Sequence, residues 1–403
     1  MKSSFMRQGQ PSAQLFIRDR LTWLAYIMLA YIGFSQSILG PLMPFLRNEL
    51  HLNYTLGGFL PATLAVGLII SGMTGDQLAR HWGRRIVFWN GAIVLALSAI
   101  LLGLSRSFEL TLIAVLGMGV GSSITQVMIQ ALLADQHGEL RSIAFTESNV
   151  AASLSATFTP LVIGGLQNTG VGWRVVPVLV LFFLMILIAS FRGQAVPNST
   201  VEELQPTESN NRLSFSFWLY WIVLFLVVAA EMSMVVWATD FLANVAGLRP
   251  ANAALAFGAF PAAMLLGRFA GTRFTRRWSS VGLLLASLGI TMIGFLMFWL
   301  TRIPALNVSG LFVAGLGIAN LYPLTLSIAV GLAAGQSNTA SARVSFGVGT
   351  ALLTAPLFLG WLADRLSLQN AYSIVIIFVI AASAIIVNKH WLLGKRSGFS
   401  LVR

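Results

Sequence analysis

Glu231 is an acid in the middle of an apolar run. At about 1.5 Å per residue, its place about fifteen residues into a run near 215–241 puts it at the midplane of a bilayer. A carboxylate at that depth must be paired, hydrated or protonated, and its cost makes function the default reading. The chemistry open to it is carriage of a proton. Other hydrogen-bonding groups lie at comparable depth in other apolar runs: Tyr31 and Gln36, Ser123 and Gln126, Asn149, Trp237, Asn320 and Tyr322. No water is present in a bilayer core to satisfy such groups. One Ser or Thr can bond its own helix backbone, so the set carries the reading rather than any member. Amides, hydroxyls, aromatic rings and one acid suit a small polar or amphipathic solute.

A second group of charges sits at the ends of runs. Gly75-Asp-Gln-Leu-Ala-Arg-His-Trp-Gly-Arg-Arg85 separates two apolar runs and reads as a short cationic hairpin. Within it Asp76 can pair with Arg80 and can face Arg343, Asp135 offers Arg80 a second partner, and Arg84 adds to the basic cluster, so the group reads as a latch. Edge pairs of this kind contribute only about 0–1 kcal/mol when exposed, yet a small bias shifts a balanced two-state equilibrium. The chain has no cysteine, and none of its four histidines lies at mid-depth. No nucleophile–base or metal-ligand constellation is visible at one depth, so neither an enzyme nor a cofactor is expected.

The elements that hold these residues emerge from composition. Of 403 residues, 57% are hydrophobic and 9% charged, and mean hydropathy is +0.81. A soluble chain cannot bury that much apolar surface, so an all-α integral membrane protein is expected. Runs of about 20 residues, the length of a crossing, place twelve helices near 21–46, 54–75, 86–104, 109–133, 142–168, 173–191, 215–241, 251–273, 281–301, 307–331, 343–365 and 370–393. With the N-terminus in the cytoplasm, every Lys and Arg falls inside except Arg47, Arg106, Arg174, Arg249, Arg302 and Arg365. That bias sets the expected topology, both termini cytoplasmic in a cell membrane, and accounts for the net charge of +12 without a nucleic-acid partner. Residues 192–214, with Pro197, Pro206 and three glutamates, read as a cytoplasmic linker between an N-terminal unit, 1–191, and a C-terminal unit, 215–403.

The two units read as copies. Pro61-Ala62 with Gly67 recurs as Pro261-Ala262 with Gly267. Gly117-Met-Gly119 recurs as Gly315-Leu-Gly317, and Pro160-Leu161 with Gly164 recurs as Pro356-Leu357 with Gly360. Gly75–Arg85 between the second and third helices, with this six-plus-six repeat, resembles the major facilitator superfamily over nearly the whole chain. Gly271–Arg277 occupies the place of a second signature loop but lacks the aspartate. The resemblance implies two pseudo-symmetric six-helix bundles, with the first, fourth, seventh and tenth helices lining a central cavity. It also implies that the fifth and eighth helices face each other across the bundle interface. Glu147 and Arg268 lie at matching depth, about 7–8 Å inside those two helices, so they are expected to pair as a gate when the cytoplasmic side closes.

A secondary transporter is therefore expected, working by alternating access on a small-molecule solute, as a monomer in the lipid bilayer, with Glu231 coupling protons. Ala229-Ala230-Glu231 with Trp237, and Leu321-Tyr322-Pro323, are similar to the fucose and glucose/galactose permease branch. Proton-driven efflux of amphipathic drugs or metabolites is the alternative. The place of the drug antiporters' fourth-helix arginine holds Ile113, and Thr159-Pro160 with Gly164-Gly165 departs from their fifth-helix spacing. Outside transport, the same fold could serve as a solute sensor or a lipid scramblase.

Overall fold

The computed structural model describes residues 16–194, 196–197, 213–275, 277–333 and 337–398, with backbone alone at 76, 337–338 and 390–398. Most of the expected linker and Arg276 of the second basic loop therefore lie outside the described residues. Those described form helices joined by short turns, with no strand among them. In order they are α1 Arg20–Gln36, α2 Leu39–Glu49, α3 Tyr54–Trp82, α4 Arg84–Leu104, α5 Phe108–His137, α6 Arg141–Asn168 and α7 Val176–Phe191. The second half has α8 Phe215–Asn244, α9 Pro250–Phe257, α10 Ala259–Phe274, α11 Ser280–Leu300, α12 Pro304–Gly331, α13 Ser337–Leu366, α14 Leu368–Ala371 and α15 Ser373–Gly398.

Eleven stretches are long and apolar enough to cross a bilayer, and one of them, the 61-residue Phe108–Asn168, contains both α5 and α6. The expected twelve crossings are thus present. Two of them are broken: the first at Ser37, between α1 and α2, and the eighth at Gly258, between α9 and α10. Helix starts obey local chemistry. Asp19, Asn53, Ser107, Ser214 and Ser279 each accept a hydrogen bond from a backbone N–H in the first turn of the helix they precede.

The stretch expected as a hairpin is mostly helix. α3 continues through Gly75 and Arg80 to Trp82, and the reversal into α4 is made by Gly83 alone, at φ 85°. Gly is the residue that adopts this conformation without steric cost, so a one-residue turn suffices.

Each half forms its own bundle, with α3, α4 and α5 packed together in the first and α10, α11 and α12 in the second. The repeat is sharper in contacts than in letters. A Cβ on Gly119 would lie 2.4 Å from the Leu64 carbonyl, and one on Gly315 would lie 2.7 Å from the Phe260 carbonyl, so both helix pairs touch backbone to backbone. These equivalent pairs are offset by one shared interval of 196 residues, the interval that also relates Gly75 to Gly271 and Pro160 to Pro356. The sequence pairing of Gly117 with Gly315 is therefore shifted by two residues, and Gly119 is the structural counterpart. Between the bundles, α3 lies against α13, α6 against α9 and α10, and α2 against α8. Many large apolar side chains remain exposed, among them Phe182, Ile186, Leu97, Ile377 and Ile380, as expected of a surface that faces lipid.

Candidate functional site: a cavity between the bundles

A cavity of about 420 Å³ lies between the two halves. Its polar wall comes from both. Gln36 and Ser37 stand at the break between α1 and α2, Gln126 on α5, and Asn149 and Ser153 on α6, while the second half contributes Glu231 on α8 and Arg268 on α10. The remaining wall is apolar, with Met232, Val235, Phe257, Phe260, Met264 and Leu352. Ser153 lies four residues beyond Asn149, so both side chains share one face of α6.

Arg268 is exposed to the cavity, and its Nη1 donates to Ser153 Oγ at 2.9 Å, the polar contact that joins the two walls. Arg268 and Tyr322 lie within electrostatic reach of Glu231. Among the described residues no side chain hydrogen-bonds or ion-pairs with the Glu231 carboxylate directly. An acid at mid-depth and a cation nearer the end of its helix therefore share one compartment, each with bonding capacity left for a guest.

The structure sorts the other expected cavity residues differently. Tyr31 is 2% exposed, with its hydroxyl donating to the Ala92 carbonyl at 3.2 Å and its ring against Phe183, so it fastens α1 within its own bundle. Ser123 donates to the Leu68 carbonyl at 2.9 Å and ties α5 to α3. Asn320 donates from Nδ2 to the Gly267 carbonyl at 3.0 Å and ties α12 to α10. Trp237 is fully buried, its indole N–H donating to the Pro356 carbonyl at 2.9 Å and its ring edge-on to Tyr54. Tyr322 is 37% exposed and does not form the cavity wall. For these four groups, three buried and Asn320 partly so, a backbone carbonyl is the partner, as packing away from water requires.

The charges at the helix ends have partners of their own. Glu147 does not meet Arg268 in this structure, which is open toward the end carrying Arg80, Arg84 and Arg85. The gate is expected only where that side is closed. Its carboxylate receives Arg18 through Nη2 at 2.5 Å and Nε at 2.8 Å, and the Tyr26 hydroxyl at 3.0 Å. The cation comes from just ahead of α1 in the same bundle, while Arg268 is turned inward to Ser153, six residues or about 9 Å further along α6. Asp135 is met by Arg84, buried to 5% exposure, at 2.6 Å. Arg343 is exposed, and its carbonyl accepts from the Trp221 indole. The Asp76 side chain lies outside the described residues.

The end of the molecule carrying Arg80, Arg84 and Arg85 is the basic end, and the far end is opposite. Among the described residues, side-chain hydrogen bonds between the halves, apart from Arg268–Ser153, cluster at the far end. There Arg47 at the end of α2 pairs with Asp240 of α8 at 2.6 Å, with side chains 13% and 1% exposed, and the guanidinium stacks over Tyr54 at 3.4 Å. Asp364 of α13 receives the backbone N–H groups of Tyr54 and Thr55, both at 2.8 Å, and the Thr55 hydroxyl at 2.5 Å. It thereby caps α3 from the other bundle. Asn168 donates to Asn252 at 3.1 Å. The backbones also meet there: a Cβ on Gly40 would lie 2.1 Å from the Val235 carbonyl, and one on Gly360 2.4 Å from the Tyr54 carbonyl. Toward the basic end Gln130, Asn149 and Arg268 are exposed. The cavity is closed at the far end and open toward the basic end.

Sequence reasoning did not single out the Arg47–Asp240 pair. Its signal was Asp240 itself, a second acid nine residues after Glu231 in the same apolar run, but the partner is on another helix 193 residues away.

Residues 25–330 match the model of the Major Facilitator Superfamily. Over 370 residues the chain is 24% identical to an uncharacterised transporter of that type from Yersinia pestis, covering 87% of this chain and 92% of the relative. Over 303 residues it is 26% identical to a probable nitrate/nitrite antiporter of Thermus thermophilus, covering 68% of this chain and 67% of the relative. A crystal structure of a bacterial homologue of the human lysosomal transporter Spinster, inward-facing and unoccupied, superposes with a TM-score of 0.74 at 15% identity, over 92% of this chain and 96% of that one. The similarity to the fucose and glucose/galactose permease branch finds no specific support in these comparisons.

Proposed function

The chain belongs to the Major Facilitator Superfamily, and from that premise we propose that it is a secondary transporter carrying a small polar or amphipathic organic solute by alternating access. The observation that carries this reading is one cavity whose polar wall is divided between the two bundles and whose far end is sealed by contacts between them. A guest held by Gln36, Gln126 and Asn149 on one wall and by Glu231 and Arg268 on the other feels any change in the angle between the bundles. Reversing which end is sealed moves the guest across without opening a continuous pore. The organisation into two six-helix units, 1–191 and 215–403, fits a rocking motion about this interface. With basic loops retained in the cytoplasm, the basic end faces inward, and the conformation described is the inward-facing one. Glu231 is the candidate proton carrier, an acid in the cavity wall without a direct protein partner among the described residues.

The test begins with thermal unfolding of the purified protein against sugars, amino acids, organic acids, nucleosides and drugs. Compounds that stabilise it then enter counterflow exchange in proteoliposomes. At least one stabilising compound should be exchanged only by vesicles that contain the protein. Stabilisation with no exchange of any compound would leave a binding protein of this fold and remove the transport reading.

A further inference from the structure

We propose that the solute is an organic monoanion, a carboxylate on an apolar frame, and that Arg268 recognises it. The inference rests on the transport reading above and adds the charge of the cargo. Arg268 is exposed to the cavity and, among the described residues, makes one hydrogen bond, to the neutral Ser153 hydroxyl. The other N–H groups of its guanidinium fork remain available, and that planar fork matches a carboxylate through two parallel bonds. An arginine about 9 Å inside its helix end is costly to hold without an anion, and Glu231, the acid that shares its cavity, leaves that role open. Glu231 shares the cavity and lies within electrostatic reach of Arg268, yet the two do not form an ion pair. Arg268 is six residues and Glu231 sixteen from the basic ends of their helices, so a carboxylate entering from that end meets the cation before it meets Glu231.

The rest of the wall fits the same guest. Phe257, Phe260, Met232 and Met264 offer an apolar surface for a carbon frame, and Gln126 and Asn149 offer amides for a further oxygen. Charge balance then gives Glu231 its part. With Arg268 charged and one carboxylate bound, the occupied cavity is neutral only when Glu231 carries a proton. Anion and proton therefore cross together, and neither leaves an uncompensated charge at the bilayer midplane.

The experiment uses the full chain purified in detergent and three matched probe series, each an acid, its amide and the corresponding amine: 4-phenylbutyrate, hexanoate and cyclohexylacetate with their counterparts. Acids should raise the unfolding temperature, while amides and amines at equal concentration should not. Arg268→Gln should weaken acid binding about tenfold or more, and Arg268→Lys, which keeps the charge but loses the fork, should retain part of it. If the Arg268 variants do not fold, protection supplies a second readout: acids, and not amides, should shield a cysteine at Asn149 from maleimide. The proposal is overturned if amines or amides stabilise at least as well as the acids, if no acid stabilises, or if acids bind Arg268→Gln as they bind the parent. Counterflow separates the two readings. Acids that bind but are not exchanged across vesicles keep the anion site and remove transport, whereas exchange of amides or amines alone keeps transport and removes the anion site.

Discussion

At the residue scale, two acids on one helix have opposite situations. Asp240 is buried and held by Arg47, whereas Glu231 lines the cavity without a direct partner among the described residues. Removing one member of a buried pair costs about 3–5 kcal/mol because the other charge is left uncompensated. Arg47 and Asp240 belong to different bundles, so that cost falls on the state in which the far end is closed. Asp240→Asn should therefore raise maleimide labelling from the far side of a cysteine at Ser37 at least about tenfold, and the double variant Arg47→Gln with Asp240→Asn should recover much of the closure. A labelling rate unchanged by Asp240→Asn would remove the pair from the gate. For Glu231 the expected outcome is different: Glu231→Gln should abolish accumulation driven by a pH gradient and leave solute exchange largely intact. Gradient-driven uptake at the parent rate in that variant would exclude Glu231 as the proton carrier. Gln36, Gln126, Asn149 and Glu231 are legible in the sequence as cavity residues, but Tyr31, Ser123, Trp237 and Asn320 mislead for a common reason. A membrane helix is apolar on both its lipid face and its bundle face, so sequence gives the depth of a polar residue but not the direction in which it points.

At the scale of elements, helices that must meet and part do so through small residues. The far-end seam brings α2 onto α8 and α13 onto α3 at Gly40 and Gly360, where even one added carbon would strike a backbone carbonyl. Overpacking a contact of this kind commonly costs about 1–3 kcal/mol, and here the far end avoids the cost by staying open. Gly360→Leu should give a folded protein held open at the far end, with transport lost. Gly165→Leu, where a Cβ meets nothing within 4 Å, is the control and should transport. Normal turnover in folded Gly360→Leu would contradict the seam. The glycines themselves are legible as packing residues, but their partners across the bundle interface are not, because a backbone carbonyl has no letter of its own. The signature stretch fails as a hairpin for a related reason: its polar letters suggest a loop, but one glycine at Gly83 turns the chain and leaves the rest free to remain helical.

At the scale of the whole molecule, hydropathy and repetition place the twelve crossings and the family, since both derive from bilayer thickness and gene-scale symmetry rather than from fine packing. The topology is tested at the linker: a cysteine at Gln205, in a chain with no native cysteine, should label only from the cytoplasmic face of intact membranes. Labelling from the outside would invert the molecule. The interface between the bundles is legible only as an expectation carried by the resemblance, and its chemistry, the Arg47–Asp240 pair and the Asp364 cap, depends on contacts hundreds of residues apart. Alternating access is the central claim, and reciprocity is its signature. A single cysteine at Gln126, in the cavity wall, is labelled with a membrane-impermeant maleimide in right-side-out and in inverted vesicles, with and without Asp240→Asn. Labelling should proceed from both faces in the parent, and Asp240→Asn should speed it from the far side while slowing it from the basic side. Labelling from one face alone, or rates that rise together on both faces, would contradict a carrier that opens to one side at a time.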